Sequence, residues 1–513
     1  MNSLTKKWRP LILLVAACLS LFACASSEKN RMEQTVRTLY GVVQGVVNGD
    51  GSVLAFKGIP FAAPPVGDLR WREPQPPAAW DGVRDASHFC ASCMQNRRFT
   101  HLPNGPWSEE FMVQDSVSED CLYLNIWTPA KTNADRLPVL VYIHGGALTE
   151  GSGSIAVYDG EALAKKGIIV ITINYRLGAL GFLAHPELTA ETPHHFSGNY
   201  GFLDQVAALQ WIKDNIAVFG GDPSRVTIAG QSAGAASVRA LIASPLAADL
   251  FHRAITQSGS TFSRGPMGGS PTLSEAEERG LEFARLKGAS SLAELRALPA
   301  EAILADTQPA MRFGAIIDGH FLTADMMAVF AEGGQNDTPF VTGLNADETR
   351  YRGDRGEAFQ ALYPSGSEAE TAAAEKTAGQ EQSRLNAYLW LAYRAKTSKT
   401  DGYGYYFDRA IPWPEYPQFG AFHTGEVPYV FNNLKMLARP WTRVDTLVAE
   451  QMSSYWVNFV KNGDPNGPGL PLWAPYDSTR HEVMRLGEKM AMMPIAASEE
   501  RLEFLKRQLL ESH

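Results

Sequence analysis

The stretch Arg225-Val226-Thr227-Ile228-Ala229-Gly230-Gln231-Ser232-Ala233-Gly234 decides the fold of this chain. Its first half is an apolar, β-branched run that predicts a strand, and the small residues 235–238 that follow it can begin a helix. Between the two lies the pattern G-x-S-x-G, whose glycines remove the Cβ atoms that would clash where a strand turns sharply into a helix. A chance Gly/Ser turn would not need a strand before it and a helix after it. The context therefore predicts that Ser232 presents its hydroxyl at the end of a sheet, beside a helix N-terminus.

Apolar runs elsewhere in the chain predict the other strands of this sheet. The clearest are Val139–Ile143, Ile168–Ile173 and Phe340–Thr342. Their continuous apolar character is typical of strands that are buried on both faces of a parallel sheet. Near the N-terminus, the turn residues at 48–51 predict a β-hairpin between the β-rich segments that flank them.

Stretches with helical character lie between the strands, at 200–219, 274–286, 370–397 and 499–510. The second begins with Ser274-x-x-Glu277, which is the pattern of a capping box. The last places three leucines on one stripe, which predicts a helix that packs on the body of the protein, with a membrane-surface helix as the alternative. Alternating strands and helices predict an α/β fold with a large, mostly parallel sheet. The chain shows no repeat and no linker-like segment, which favours one large domain.

Composition limits the classes of function. The 513 residues are 45% hydrophobic and 20% charged, as in a globular protein with a large core. The formal net charge of −9 and the absence of a run of like charges argue against a nucleic-acid partner. The chain has no H-E-x-x-H motif, no Walker loop and no dinucleotide fingerprint, so we expect no metal and no cofactor.

The N-terminus has the features of an export signal. Basic residues precede the 12-residue apolar run Leu11–Phe22, which is too short to span a bilayer. The residues Leu21-Phe22-Ala23-Cys24 resemble a lipoprotein box with Cys24 as the lipidated residue, whereas Ala23-Cys24-Ala25 fits ordinary signal peptidase. We predict a signal peptide at 1–23, a flexible tether at 24–37 and a single domain at 38–513. The protein is then a periplasmic or outer-membrane lipoprotein of a bacterium with a membrane tether through Cys24, or alternatively a secreted protein.

Three of the five cysteines lie outside the export segment, at Cys90, Cys93 and Cys121. The compartment permits disulfides, and the simplest arithmetic gives one bridge and one free thiol. A redox or metal role for the C-x-x-C pair at 90–93 is the alternative, but neither a second such pair nor a thioredoxin-like setting accompanies it.

A serine hydroxyl becomes a useful nucleophile when a base takes its proton and a third group orients that base. Among the histidines that follow Ser232, His423 lies in the small-residue loop Gly420–Glu426, which suits an active-site imidazole. A purely structural histidine is the alternative. For the acid, Asp347 and Glu348 follow the predicted strand at 340–342, and elementary chemistry does not choose between them.

The negative charge that forms on the carbonyl oxygen during acyl transfer needs backbone N–H groups aimed at it, and losing one such donor costs about 10²–10³ in rate. The segment His144-Gly145-Gly146-Ala147-Leu148 directly follows the strand at 139–143 and is the type of loop that supplies these groups. The N–H of Ala233 is the expected second donor.

The chain resembles the type-B carboxylesterases of the cholinesterase and carboxylesterase family, within the α/β-hydrolase fold. The resemblance spans about 38 to 480, and its matching motifs occur in order. They are Gly58–Gly67, Arg70-Trp71, Ser118–Asn125, His144-Gly145-Gly146, Asn174-Tyr175-Arg176, Gly198–Gly201, Phe219–Pro223, the elbow at 230–234 and Gln257-Ser258-Gly259. The resemblance implies a large central sheet with helices on both faces and helical insertions.

The resemblance also implies a catalytic triad and an activity. Ser232 matches the nucleophile, His423 the general base and acid, and Glu348 the carboxylate that orients the histidine. The implied activity is hydrolysis of small-molecule carboxylic esters through an acyl-enzyme. Further matches give the oxyanion donors Gly146, Ala147 and Ala233. The resemblance also implies a disulfide between Cys93 and Cys121, with Cys90 left free. Ser258 matches a serine that lies near the catalytic histidine in the family.

Two departures from the family pattern bear on the substrate. The residue before the nucleophile is usually Glu, and here it is the neutral Gln231, which weakens any preference for cationic esters. The choline-stacking tryptophan has no match at its distance from Cys121, since Trp107 lies in other surroundings. We therefore predict neutral or anionic esters rather than choline esters. A bulky ester of the mycotoxin type, a carbamate or an amide is the alternative. The filled triad positions argue against a neuroligin-like binding protein.

Overall fold

The apolar runs of the sequence become strands of one large sheet. The computed structural model describes residues 33–98, 100–259, 270–305 and 313–511. The strands of these residues are β1 (Thr35–Arg37), β2 (Val42–Gln44), β3 (Val46–Val47), β4 (Leu54–Pro60), β5 (Val83–Asp85), β6 (Ser92–Cys93), β7 (Val117–Ser118), β8 (Tyr123–Thr128), β9 (Leu137–Ile143), β10 (Ile169–Ile173), β11 (Gly221–Gln231), β12 (Arg253–Gln257), β13 (Phe340–Asn345), β14 (Gly402–Phe407), β15 (Glu482–Leu486) and β16 (Ala491–Pro494).

The large sheet has the strand order β16-β15-β14-β13-β12-β11-β9-β10-β8-β4-β3. Its centre, from β15 to β10, is parallel throughout. Antiparallel strands complete both edges, with β16 on one side and β8, β4 and β3 on the other. The predicted mostly parallel sheet is therefore confirmed, and so is the predicted hairpin, which is the antiparallel pair β3 and β4.

The helices of the described residues are α1 (Glu161–Ala164), α2 (Gly178–Phe182), α3 (Pro186–Glu191), α4 (Tyr200–Asn215), α5 (Ala233–Ala243), α6 (Leu273–Leu286), α7 (Leu292–Ala297), α8 (Ala300–Leu304), α9 (Met326–Glu332), α10 (Glu357–Leu362), α11 (Glu368–Arg394), α12 (Val427–Val430), α13 (Arg443–Asn462) and α14 (Glu499–Glu511). Short 3₁₀ turns lie at 67–69, 109–111, 156–158, 216–219, 245–247, 417–419 and 434–436. In the part of the chain that the structure describes, no helix combines the length and apolarity that crossing a bilayer requires.

Two hydrophobic cores cover the two faces of the sheet. Along β9, Val139 and Val141 point into a core shared with α4 and α5, whereas Leu140 and Tyr142 point into a core shared with α13. Because both faces of the sheet are buried, its strands do not alternate apolar and polar residues but carry continuous apolar runs. The predicted layer arrangement, with helices on both faces, is confirmed.

The start of α6 differs from its prediction. The capping box is formed by Thr272 and Glu275, and Ser274 lies inside the first turn. The Thr272 hydroxyl accepts the N–H of Glu275 at 3.3 Å, and the Glu275 carboxylate accepts the N–H of Thr272 at 2.8 Å. Two overlapping capping patterns exist in this segment, and the helix begins at the earlier one, with Leu273 as its first residue. The C-terminal helix α14 buries Leu502 and Leu505 against the body of the protein, as predicted.

The structure forms the disulfide Cys93–Cys121, and Cys90 is a free, partly buried thiol. The predicted signal peptide, Cys24 and the tether up to residue 32 lie outside the described residues. The last residues of the predicted tether differ from the prediction, because Thr35–Arg37 form β1, which pairs with β2 and buries Val36.

Candidate active site

The candidate site lies at the carboxyl ends of the parallel strands, where loops follow four of the five consecutive strands from β14 to β9. The elbow follows β11, the glycine-rich loop follows β9, the acidic pair follows β13, and the histidine loop follows β14. The carboxyl ends of parallel strands meet at the same edge, so residues far apart in sequence come together there.

Ser232 occupies a strained turn between β11 and α5. Its backbone has φ 57° and ψ −120°, a conformation that non-glycine residues rarely adopt. Its N–H donates to the carbonyl of Gln257 at 2.8 Å. A Cβ on Gly234 would lie 2.0 Å from the carbonyl oxygen of Ile143, so only glycine fits where α5 crosses β9. The predicted elbow geometry is present.

Glu348 orients the imidazole of His423. Nδ1 of the ring donates a short hydrogen bond to Oε2 of Glu348, whose side chain is only 4% exposed. The other carboxylate oxygen, Oε1, accepts the backbone N–H of Asn345 at 2.6 Å. A carboxylate with both oxygens engaged in this way holds the ring in one orientation and keeps the proton on Nδ1.

The adjacent Asp347 has a different position. Its Oδ2 accepts the backbone N–H of Ala421 at 2.8 Å, and its own N–H donates to the carbonyl of Ala421 at 3.0 Å. Its Oδ1 pairs with Lys376 at 2.7 Å. Asp347 therefore holds the backbone of the histidine loop, and the structure brings Glu348 to the ring. Of the two acidic residues, only Glu348 hydrogen-bonds to the ring of His423 in the described residues, and its catalytic role stays a prediction.

The pKa of His423 reflects opposing effects. Burial lowers it, but the hydrogen bond and charge of Glu348, together with the charge of Glu426, raise it, and the net direction is above the ordinary value. A higher pKa makes the neutral ring a stronger base, and it also means that the ring is neutral only at higher pH.

Nε2 of His423 contacts Gln231. Because Nδ1 carries the proton, Nε2 is an acceptor, and the carboxamide nitrogen of Gln231 lies 3.2 Å from it. Trp107 packs against the ring of His423 in an edge-to-face arrangement, with ring centroids 6.4 Å apart. The indole N–H of Trp107 donates to the Thr424 hydroxyl at 3.1 Å. Sequence reasoning placed neither contact, because both depend on how distant loops meet.

The glycine-rich loop lies directly against the elbow. A Cβ on Gly145 would be 2.8 Å from the carbonyl oxygen of Gln231 and 3.2 Å from Cβ of Ser232. Gly146 and Ala147 both have positive φ, at 104° and 55°. Ala233 is the first residue of α5, where backbone N–H groups have no partner within the helix. Gly146 and Ala147 line the same cavity as Ser232, and Ala233 follows Ser232 directly in the chain.

A cavity of about 250 Å³ opens at this point. Ser232, His423, Gln231, Gly146 and Ala147 all line it. The rest of its wall is partly apolar and partly charged, and consists of Gln95, Arg98, His101, Trp107, Phe111, Met112, Val113, Glu150, Gly151, Ile155, Tyr158 and Thr424.

A model of the Carboxylesterase family matches residues 32–384 and 372–505, which together span most of the chain. The chain belongs to the carboxylesterase family. It is similar to a fumonisin B1 esterase of Sphingopyxis macrogoltabida, at 38% identity over 88% of this chain and 86% of the relative. It is also similar to a cocaine esterase of Homo sapiens, at 33% identity over 97% and 95% of the two chains. A medium-chain fatty acyl-CoA hydrolase precursor of Anas platyrhynchos is 34% identical over 95% and 94%. The protein is an ester hydrolase with the α/β-hydrolase fold.

The esterase holds a second carboxylate behind the histidine that sequence reasoning missed. Glu426 is fully buried, and its oxygens accept hydrogen bonds from the side-chain amides of Asn345 at 2.5 Å and Gln257 at 3.1 Å. Burial and the charge of Glu348 raise the pKa of Glu426 to about 7. Its position three residues after His423 was the available signal, but nothing in the sequence marks it as buried.

Ser258 is buried and directly follows β12 in the chain. Its hydroxyl makes no hydrogen bond within the described residues, and its N–H donates to the carbonyl of Gly343 at 2.9 Å. The expected role of Ser258 behind the histidine therefore stays a prediction.

Proposed function

We propose that this esterase cleaves carboxylic esters through an acyl-enzyme on Ser232, with His423 and Glu348 as the other members of the triad. The observation that carries the proposal is the short hydrogen bond from His423 to Glu348 at the cavity that Ser232 also lines. A ring that carries its proton on Nδ1 has its lone pair on Nε2, which is what a general base for a serine hydroxyl requires.

In the first half-reaction, Nε2 of His423 takes the hydroxyl proton while Oγ of Ser232 forms a bond to the ester carbonyl carbon. The carbonyl oxygen becomes negatively charged, and the N–H groups of Gly146, Ala147 and Ala233 stabilise that charge. The tetrahedral species expels the alcohol oxygen, which receives the proton from His423. In the second half-reaction, His423 removes a proton from water, which attacks the acyl carbon. The bond to Oγ of Ser232 breaks, Oγ receives that proton from His423, and the acid is released.

The contact between Gln231 and Nε2 must open when the serine proton is transferred, since both would use the same lone pair. The distance of 3.2 Å is at the long end of the range for hydrogen bonds. Contacts of this kind commonly rearrange when substrate binds.

For the substrate, we propose neutral or anionic esters rather than choline esters. Gln231 contributes no charge beside the histidine, and the cavity wall holds the cation Arg98, whereas His101 pairs with the carboxylate of Glu150 at 3.6 Å. A specialised bulky ester of the mycotoxin type is the second candidate, because the relative at 38% identity is named a fumonisin B1 esterase. A carbamate or amide would use the same triad.

The test compares wild type with Ser232→Ala on p-nitrophenyl acetate. We expect a burst of p-nitrophenol from the wild type and no turnover above background from the variant. Turnover of Ser232→Ala at the wild-type rate would refute the proposal. A panel of esters that varies acyl length, leaving-group size and leaving-group charge then ranks the substrate classes, and a preference for choline esters would contradict the assignment to neutral or anionic esters.

We also propose that residues 38–513 act as one domain and that the protein is exported, as a lipoprotein anchored through Cys24 or in secreted form. The basic and apolar residues at its N-terminus support this. Mass spectrometry of the mature N-terminus distinguishes a lipidated Cys24 from cleavage after Ala25, and an intact N-terminus would contradict both.

A further inference from the structure

The loop that carries the oxyanion donors is held by Gln95, which lies in the wall of the same cavity. The carboxamide nitrogen of Gln95 donates to the carbonyl of Gly151 at 2.9 Å, and its oxygen accepts the N–H of Gly151 at 2.8 Å. The second N–H of the same amide donates to the carbonyl of Cys93 at 2.9 Å. Gln95 is 5% exposed, so its amide hydrogens and its oxygen are used inside the protein.

Gly151 is packed against the first residues of that loop. A Cβ on Gly151 would lie 2.3 Å from Nδ1 of His144 and 2.5 Å from the carbonyl oxygen of Gly145. Within the loop, the N–H groups of Thr149 and Glu150 both donate to the carbonyl of Gly146 at 2.9 Å. A shift of Gly151 is therefore transmitted to both ends of the segment from His144 to Glu150.

The N–H groups of Gly146 and Ala147 must point into the cavity without a protein partner if they are to bind a developing oxyanion. Their direction is then set only by the backbone around them. Donors of this kind act through preorganisation, because a misdirected N–H stabilises the transition state less than a correctly aimed one does. Two features hold the loop in place: the turn at Gly146 and the hydrogen bonds from Gln95 to Gly151.

We propose that Gln95 is a positioning residue of the oxyanion hole, which links the disulfide-bonded segment at Cys93 to the loop that stabilises the transition state. This inference rests on the proposed function, in which Gly146 and Ala147 stabilise the oxyanion. Gln95 acts through Gly151.

The central variant is Gln95→Met, which keeps the volume and removes the hydrogen bonds. Complete loss of one oxyanion donor costs about 10²–10³ in rate, and a misaligned loop should cost less, so we expect kcat to fall by about 10- to 100-fold. KM should change by less than about threefold, because the weakened hydrogen bonds to the oxyanion form only in the transition state. Affinity for a trifluoromethyl ketone, whose adduct places an oxyanion in the same position, should fall in parallel with kcat.

Asn466→Leu is the matched control. Asn466 forms the same type of pair with the backbone of Trp473, at 2.7 and 2.9 Å, and neither residue lines the cavity. We expect this variant to lose thermal stability without a change in kcat or in affinity for the trifluoromethyl ketone.

Gln95→Glu provides a second variant with a pH-dependent readout. Its carboxylate can still accept from Gly151 but faces two carbonyl oxygens, and protonation restores one donor. Its kcat relative to wild type should therefore improve as the pH falls.

The inference is overturned if kcat of Gln95→Met stays within about twofold of the wild-type value. It is also overturned if KM rises while kcat and the affinity for the ketone are unchanged, because Gln95 would then be a substrate contact. It is also overturned if Asn466→Leu loses as much kcat as Gln95→Met. If Gln95→Met does not fold, the pH profile of Gln95→Glu decides, and a constant ratio to wild type counts against the inference. Activity in Ser232→Ala would instead refute the proposed function itself.

Discussion

Replacing Glu348 by Gln should remove most of the activity, whereas replacing its neighbour Asp347 by Asn should not. The two carboxylates are adjacent in sequence but hold different partners. Glu348 accepts from the ring of His423, and Asp347 accepts from the backbone of Ala421. The pair of variants therefore changes the same chemical group at two neighbouring positions.

The magnitude follows from the hydrogen bonds. Both oxygens of Glu348 are used, since Oε1 accepts from Asn345 at 2.6 Å and Oε2 accepts from His423. Gln has one acceptor oxygen, so its NH₂ group must face either the ring Nδ1–H or the N–H of Asn345. Losing a charge-assisted hydrogen bond and leaving a buried donor unpaired together cost about 3–5 kcal/mol, or about two to four orders of magnitude in kcat/KM.

The Asp347→Asn variant keeps an oxygen for the N–H of Ala421. It loses the charge that pairs with Lys376, whose side chain is 62% exposed, and exposed ion pairs contribute about 0–1 kcal/mol. The expected loss in kcat/KM is therefore below about tenfold.

The assay is kcat/KM for p-nitrophenyl acetate across pH. The acid limb should follow the pKa of His423, because the ring must be neutral to accept the serine proton. Glu348 raises that pKa, so its loss in Glu348→Gln should move the acid limb to lower pH, and the limb of Asp347→Asn should move less. Equal losses in the two variants, a larger loss in Asp347→Asn, or an upward shift in Glu348→Gln would refute the reasoning.

Three further predictions concern the surroundings of the triad. Gln231→Glu places a carboxylate 3.2 Å from Nε2 of His423, so the acid limb of kcat/KM should move to higher pH. The kcat/KM for cationic esters should also rise relative to that for neutral esters. An unchanged acid limb would contradict the contact between residue 231 and the ring. Burial raises the pKa of Glu426 from its ordinary 4.5 to about 7, so the folded state binds more protons between these values, and stability should fall as the pH rises through this window. The Tm of Glu426→Gln should accordingly fall less than that of wild type between pH 4.5 and 7, and parallel Tm profiles would count against the buried charge. Gly234→Ala places a Cβ 2.0 Å from the carbonyl oxygen of Ile143, so the free energy of unfolding, measured with denaturant, should fall by about 3 kcal/mol or more. A variant as stable as wild type would show that the elbow is less tightly packed than described.

The features that the sequence predicts are those that local pattern and chain order control. Continuous apolar runs require burial on both faces, and the glycines of the elbow are required where Gly234 meets Ile143. The start of α6 was misplaced because two capping patterns overlap within three residues, and local pattern does not rank them.

The remaining features depend on distant segments that meet only in the folded chain. Gln95 and Gly151 are 56 residues apart, and Gln231 and His423 are 192 residues apart. Glu426 is an ordinary acidic residue in the sequence, and its pKa rises only because folding buries it beside Glu348. Such groups have no local signature in the sequence, because most amide and carboxylate side chains in proteins lie on the surface.

The most direct test of the catalytic assignment is reaction with an organophosphate, followed by intact-mass measurement and peptide mapping. We expect one adduct per chain, on the peptide that contains Ser232, with activity lost in proportion to labelling and with slow labelling in Glu348→Gln. Full inactivation with the adduct on a different residue, or stoichiometric labelling of Ser232 that leaves ester hydrolysis intact, would contradict the assignment of Ser232 as the nucleophile.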